Sequence, residues 1–386
     1  MHREYKVFGV LFIVVFWCLS SCATNKEKVA FAYNEKGIVA QADAYLLEHP
    51  VTITAFPAER SAGGPHDYFS EGSYWWPDPE NPDGPYIRKD GQRNPDNFDA
   101  HKKAFRKMVD RVTTLTAAYE ITGEVKYAQQ VIRHLQAWFI DPATLMNPNL
   151  LYGQAIHGIN TGRGIGIIDT IKLIDVALSI RLLAAAGLLE GAQYTTIQQW
   201  FSDYGDWLTT HPYGVDERDN NNNHSTWWGA QVAAFGLVTQ REDLLAISRE
   251  QFKKQLNIQL AADGSFPDEL ARTKPFGYTN YNLEGWTTFC LLASTPEENL
   301  WTYQSKNGSL EKAVAFVLPY LEAPATWPYF TALEAELSVQ RRDYLVFATW
   351  CSKDKKYLDF WQQLPPGKDD YHANLVLWKN SMVNEK

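Results

Sequence analysis

One stretch of this chain gathers side chains that bind anions and move protons: Asp219-Asn220-Asn221-Asn222-Asn223-His224-Ser225. It stands just before Thr226-Trp227-Trp228, which reads as the beginning of a helix. Asn223 in that position suits a helix cap. It also suits a carboxylate receptor, because backbone amides at a helix N-terminus, a side-chain amide and an imidazole converge there. His224 can accept a proton near neutral pH, although a histidine so placed also has ordinary structural uses. A second stretch runs from Asp263-Gly264-Ser265-Phe266-Pro267 through Asp268, Glu269 and Arg272 to Tyr278, Thr279, Asn280 and Tyr281. It offers one cation and two phenols close together. A guanidinium near Tyr278 is expected to lower the phenol pKa from about 10. Tyr281 competes with Tyr278 for any such role, and spacing does not separate them.

Other residues invite chemistry less strongly. His157 and Arg163 flank a glycine-rich turn, Gly158 to Gly166, that lacks the strand and lysine of a phosphate loop. A structural use for His157 competes with contact to a sugar. Asp268 and Glu269 could suggest a hydrolase pair. Adjacent residues in a turn rarely face one another, so they read as orienting Arg272 or as solvated. No pair of histidines has helical ligand spacing, so no metal and no other cofactor is called for.

Helices must hold these residues in place. From about Asp99 onward apolar residues recur at helical spacing, as in Phe105, Met108, Val109, Val112, Leu115 and Tyr119, then Tyr127, Val131, Leu135, Trp138 and Phe139. The short Thr122-Gly123-Glu124 link forces these two helices into an antiparallel hairpin. Similar pairs follow at about 166–188 with 194–210 and 225–239 with 241–261, and further helical segments run from 281 through 378. Serial hairpins bury one face of each helix economically as an incomplete or complete ring, so the chain is predicted to be all-α, an (α/α) toroid over 61–386. A superhelical array open at both ends is the alternative. The segment from Ala62 to Asn97 is irregular and rich in Gly, Pro, Asp and aromatics. It reads as an ordered loop over one rim, able to stack sugar rings on Tyr74, Trp75 or Trp76, or else anchored to the helices by those rings.

Arg3 and Lys6 precede an uninterrupted apolar run from Val7 to Leu19, followed by Ser20-Ser21-Cys22. A helix of that length reaches roughly 20 Å, short of the ~30 Å of a hydrocarbon core. Residues 1–21 therefore read as a signal peptide. Leu19-Ser20-Ser21-Cys22 resembles a bacterial lipobox, which implies lipidation at Cys22, a tether with a first helix over 22–60, and a place in the periplasm or outer membrane, attached to the membrane by the lipid alone. Cys290 and Cys351 then remain, too few for a disulfide framework. The core must come from the 45% hydrophobic content, and the 14% aromatic content also suits a carbohydrate cleft. A net charge of −9 argues against nucleic acid. A polyanion would need a locally basic cleft in this acidic chain, which is read as a monomer.

Four features together resemble the alginate lyase superfamily, most closely polysaccharide lyase family 38. They are the Tyr-Trp-Trp-Pro loop with Asp90-Gly91 and Asn94-Pro95, the Asn160-Thr161-Gly162-Arg163-Gly164 stretch, the Asn-His-Ser string, and the Asp-Gly-Ser-Phe-Pro string with Glu269, Arg272-Thr273 and Tyr278. The resemblance implies cleavage of alginate or glucuronan by β-elimination. It implies that Asn223 and Arg272 neutralise the uronate carboxylate while His224 and Tyr278 handle protons. It also puts the Arg163 turn near the cleft, where Arg163 is expected to hold a neighbouring carboxylate. A glycoside hydrolase on the same scaffold and a non-catalytic glycan-binding lipoprotein are the competing readings.

Overall fold

The structure, a computed structural model, describes residues 33–367 and 372–383. The Val7–Leu19 run and Cys22, and with them the signal-peptide and lipid-anchor readings, lie outside the described residues. Among the described residues no helix is long and apolar enough to cross a membrane.

Helix α1 (Glu35–Tyr45) leads into the irregular segment, which carries β1 (Phe69–Glu71), β2 (Trp75–Trp76) and β3 (Ile87–Arg88). Then come α2 (Ala100–Thr122) and α3 (Val125–Phe139), reversed as the spacing predicts, with Gly123 at φ +72° closing α2. After β4 (Tyr152–Ala155) the chain makes a 3₁₀ segment over Gly164–Thr170 before α4 (Leu173–Ala185) and α5 (Gly191–Thr210). The helix expected from 166 thus begins later. Gly166 lies so close to Gly153 that a Cβ would come within 2.5 Å of its backbone, and this contact commits the first residues to packing against β4. Next follow α6 (Pro212–Arg218), α7 (Asn223–Thr239), α8 (Glu242–Gln259), the single-turn α9 (Pro267–Leu270) and α10 (Pro275–Ala293). The chain ends in α11 (Leu310–Glu322), α12 (Asp343–Ser352), α13 (Lys356–Gln363) and α14 (Ala373–Val383).

The inner helices form a closed circuit. Helix α2 packs on α4, α4 on α7, α7 on α10 and α10 on α12. Phe347 of α12 meets Trp378 of α14 at 4.8 Å, and α14 packs back on α2 and α4. Asn380 reaches Glu120 of α2, and the Trp378 indole donates to Asp175 of α4. The fold is therefore an (α/α) toroid, and the open array is excluded. Helix α7 is buried on every side, as its apolar residues all round require, whereas α3 buries one stripe, Tyr127, Val131, Leu135 and Trp138, and faces solvent with the rest.

The segment over the rim is ordered by its own hydrogen bonds. Strand β1 pairs in parallel with β4, and β2 pairs antiparallel with β3. The Asn94 amide donates to the Trp75 carbonyl, the Asn97 amide to the Gly72 carbonyl, and the Glu71 carboxylate accepts the Phe98 N–H and the Arg60 guanidinium. Gly91 sits at φ +73°, and a Cβ there would come within 2.5 Å of Thr273 Oγ1 across the cleft rim. Gly91→Ala is expected to cost about 1–2 kcal/mol, from the left-handed backbone and the contact together. A lowered denaturant midpoint and faster proteolysis between 73 and 94 are the readouts; an unchanged midpoint would show that the rim contact is dispensable.

Candidate active site

The rim segment, the 3₁₀ turn and the N-terminal ends of α7 and α10 enclose a cleft of about 690 Å³. Its lining holds seven Arg and Lys side chains against one carboxylate, Asp169, so the acidic protein carries a basic groove. Asp169 is itself neutralised, since Lys102 Nζ lies 2.6 Å from Oδ1 and Ser70 donates to Oδ2 at 2.6 Å. Arg93, Arg106 and Lys274 line the cleft with no ion-pair partner among the described residues. These are cations available to a ligand.

The N-terminus of α7 is a carboxylate receptor, and the protein fills it itself. Asn222 caps the helix by accepting the His224 N–H. The Asn223 backbone N–H and Nδ2 both donate to Glu269 Oε1, at 2.6 and 2.8 Å. Glu269 is wholly buried, while Asp268 beside it is exposed. The expectation that Glu269 orients Arg272 or is solvated is thus corrected. The single turn of α9 that follows Pro267 aims Glu269 inward at α7, where the helix end supplies its donors. Burial pushes the Glu269 carboxyl up, and the Asn223 bonds and the Arg272 charge draw it partly back.

Arg272 has another partner. Its Nε and Nη2 donate to the two Asp90 oxygens at 3.2 and 2.9 Å, and Thr273 Oγ1 adds a third bond at 3.0 Å. Despite burial, these bonds hold the Asp90 carboxyl well below the usual carboxylate range. The guanidinium carbon lies 3.8 Å from the Tyr278 ring centroid. Nη1 makes no hydrogen bond with the described residues and is the atom left for a ligand.

Tyr278 Oη donates to Tyr74 Oη at 3.0 Å. Its pKa is raised, not lowered as the nearby cation suggests. Burial outweighs all else, the bond to Tyr74 adds to it, and the Arg272 charge opposes it without prevailing. Tyr278 therefore rests as a protonated phenol. Tyr281, one turn further along α10, also lines the cleft, packed on Trp227 at 5.4 Å, and burial raises its pKa too.

His224 lines the cleft with Nδ1 2.7 Å from Oε1 of Glu217, a buried carboxylate at the end of α6. Burial pushes the Glu217 carboxyl up and the His224 contact draws it partly back; where its carboxylate accepts from Nδ1, Nε2 keeps its lone pair. Sequence reasoning missed Glu217. A histidine that moves protons needs an acceptor behind it, but Asp216, Glu217 and Asp219 all precede His224, and the turn of α6 decides among them.

Arg163 donates through Nε and Nη2 to the backbone oxygen and Oε1 of Gln154, both at 3.0 Å, and faces Trp75 at 5.7 Å. Burial, with the nearby Arg88 charge, brings its pKa down to about 10. Gln154 holds this arrangement from a left-handed backbone, φ 50°. The cleft thus unites Asn223, His224, Arg272, Tyr278, Tyr281, Tyr74, Trp75 and Arg163. It does not include Trp76, whose indole donates to the Gln92 carbonyl under Lys89, or His157, which is exposed against Tyr86. Alternation along β2 sends Trp75 inward and Trp76 away. Among the described residues no cluster of three His, Cys, Asp or Glu suits a metal ion.

Residues 52–327 match the profile of the family described as alginate lyase. The crystal structure of an alginate lyase from Bacteroides ovatus superposes with a TM-score of 0.77 at 31% identity, covering 89% of this chain and 92% of that one. A polysaccharide lyase of Stenotrophomonas maltophilia strain K279a is 25% identical over 249 residues, 64% of this chain and 70% of its own length. An alginate lyase of Pseudomonas syringae pv. syringae strain B728a is 26% identical over 149 residues, so this chain spans 38% of that relative's length and matches it over 38% of its own.

The charge of the cleft has a direct consequence. A uronate oligosaccharide is expected to bind, and a neutral one of equal length to leave no calorimetric signal. Raising sodium chloride from about 0.05 M to about 0.5 M should weaken the binding by tenfold or more, because exposed cations are screened. An affinity indifferent to salt would show that the unpaired cations are not used.

Proposed function

Because the chain belongs to the alginate lyase family, we propose that it cleaves a polyuronate, alginate or glucuronan, by β-elimination. The observation that carries this reading is the convergence of Asn223, His224, Arg272 and Tyr278 in one basic cleft of an otherwise acidic protein. The hydrogen at C5 of a uronate is a very weak acid. Removing it builds a second negative charge on the carboxylate, and donors and cations must stabilise that dianion. In this reading Asn223 Nδ2 and Arg272 Nη1 take the carboxylate. The C5 proton passes to a base, the C4–O4 bond breaks as the C4–C5 double bond forms, and an acid returns a proton to O4.

The hydrogen bond behind His224 and the burial of Tyr278 suit two of these parts directly. His224, backed by Glu217, is the base, and Tyr278, a protonated phenol, is the acid. This fits α-guluronate, whose C5 proton and O4 lie on opposite faces. In β-mannuronate or β-glucuronate both lie on one face, and Tyr278 serves as base and then acid: its own proton passes first to water in the cleft, the phenolate takes the C5 proton, and the phenol so re-formed gives a proton to O4 as the C4–O4 bond breaks. Tyr74 Oη, which accepts the Tyr278 hydrogen bond, holds the phenol in place.

The hydrolase reading finds little support. Glu217 and Glu269 are buried, with His224 Nδ1 and the two Asn223 donors on their Oε1 atoms, and Asp169 is paired with Lys102. Among the described residues lining the cleft, no carboxylate is free to protonate a glycosidic oxygen from one side and direct a water from the other. We further propose, from the lipobox, that the protein acts in the periplasm or at the outer membrane, anchored through Cys22.

Incubation with polymannuronate, polyguluronate and glucuronan, followed by ultraviolet absorbance, tests the elimination, because only elimination creates the conjugated double bond. New reducing ends without that absorbance would overturn the lyase reading in favour of hydrolysis. Tyr278→Phe is expected to abolish turnover while leaving affinity nearly intact, since only the hydroxyl is lost. A live Tyr278→Phe beside a dead Tyr281→Phe would reassign the two phenols.

His224→Gln separates the two stereochemical routes. On mannuronate or glucuronate an amide can stand in as a hydrogen-bond donor, and measurable activity should remain. On guluronate no amide replaces the base, and the loss should reach about a hundredfold or more. Equal fractional losses on both substrates would contradict this division of labour.

A further inference from the structure

Glu269 does not itself line the cleft and makes no ion pair among the described residues, yet it holds Asn223, which does line it. Oε1 receives two donors from Asn223, the backbone N–H at 2.6 Å and Nδ2 at 2.8 Å. Oε2 is buried and has no hydrogen-bond partner among the described residues. A buried carboxylate with one oxygen doubly bound and the other bare is costly to keep, and packing alone would be served as well by a leucine or methionine.

We infer that Glu269 is a positioning residue that fixes the plane of the Asn223 amide, and thereby makes the clamp a donor to the substrate carboxylate. An amide can hold a carboxylate only through its N–H groups, since its oxygen repels one. Asn223 has two side-chain N–H bonds. One ends on Glu269, and the other is the hydrogen left for a ligand in the cleft that Asn223 lines. Without an acceptor behind it the amide can turn about its terminal torsion, which is soft, and present oxygen to the ligand for part of the time. The backbone N–H of Asn223 matters as well, because it dictates that an acceptor atom of residue 269 faces α7. A glutamine at 269 must present its oxygen to that N–H, and the same oxygen still holds Nδ2.

What the Asn223 amide stabilises in turnover rests on the lyase reading, whereas its holding an anion does not. The experiment therefore reads both. Glu269→Leu, Glu269→Gln, Asn223→Ala and the double variant Asn223→Ala/Glu269→Leu are compared in turnover of a polyuronate and, by calorimetry, in binding of a saturated uronate trisaccharide. Loss of one preorganised donor to developing charge typically costs about a hundredfold in turnover. Glu269→Leu is expected to approach that loss in kcat with a much smaller change in KM. In the Asn223→Ala background it should cost less than about threefold further, because it acts through Asn223. Glu269→Gln should restore most of the turnover that leucine loses. Independent, multiplying losses in the double variant would overturn the inference, as would a leucine variant with parental kcat. If Glu269→Leu does not fold, Glu269→Gln decides alone: substantial activity supports acceptor geometry, and a collapse as deep as that of Asn223→Ala shows that the carboxylate itself takes part in the chemistry. A parent that binds the trisaccharide but yields no absorbing product would sink the lyase reading while leaving the binding arm of this comparison intact.

Discussion

The paired hydrogen bonds from Arg272 to Asp90 join two parts of the chain that nothing in the sequence brings together. Asp90 comes from the irregular segment before α2, and Arg272 from the turn between α9 and α10. Their contact closes the rim, brings Tyr74 onto Tyr278 and sets the guanidinium carbon 3.8 Å from the phenol ring centroid. It also settles which atom of Arg272 remains for a ligand. The Asp90 carboxyl is held well below its usual range, so its contribution is present above the unfolded-state value and is lost only when pH falls through the lowered one. Across neutral and mildly acidic conditions the joint stays charged.

The second constraint is electrostatic. The cleft concentrates positive charge in an acidic protein, and the fold manages this with two classes of cation. Lys102 and Arg272 are tied to Asp169 and Asp90, where they set geometry and keep buried charge compensated. Arg93, Arg106 and Lys274 have no ion-pair partner among the described residues and line the same cleft. The first class builds the walls, and the second is what a ligand meets. Behind them, Glu217 and Glu269 hold His224 and Asn223 from fully buried positions, so these two residues facing the cleft are hydrogen-bonded to carboxylates that do not line it.

Much of this was legible in the sequence. The helical periodicity and Gly123 gave the α2–α3 hairpin, and the crowding of donors before Thr226 marked the start of α7. What was not legible depended on three-dimensional closure. The ring is completed by Trp378 and Asn380 meeting α4 and α2, contacts that no local pattern announces. Asp268 and Glu269 are adjacent acids that the sequence does not tell apart, and the turn after Pro267 alone separates the exposed one from the buried one. For Tyr278, proximity to a cation is visible in spacing, whereas the burial that outweighs it and raises the phenol is not. Trp76 and His157 carry the right chemistry for sugars but lie outside the cleft lining, Trp76 by strand alternation and His157 on an exposed turn against Tyr86.

The central claim is that a uronate carboxylate sits between Asn223 and Arg272 with its C5 facing His224 and Tyr278. A crystal structure of the Tyr278→Phe protein with a bound uronate oligosaccharide measures this directly. The account requires the carboxylate within hydrogen-bond distance of Asn223 Nδ2 and Arg272 Nη1, the Asp90 pair intact, and C5 beside His224 Nε2 or the ring at position 278. A carboxylate held instead by Arg93 or Arg106, with C5 turned away from both, would contradict it.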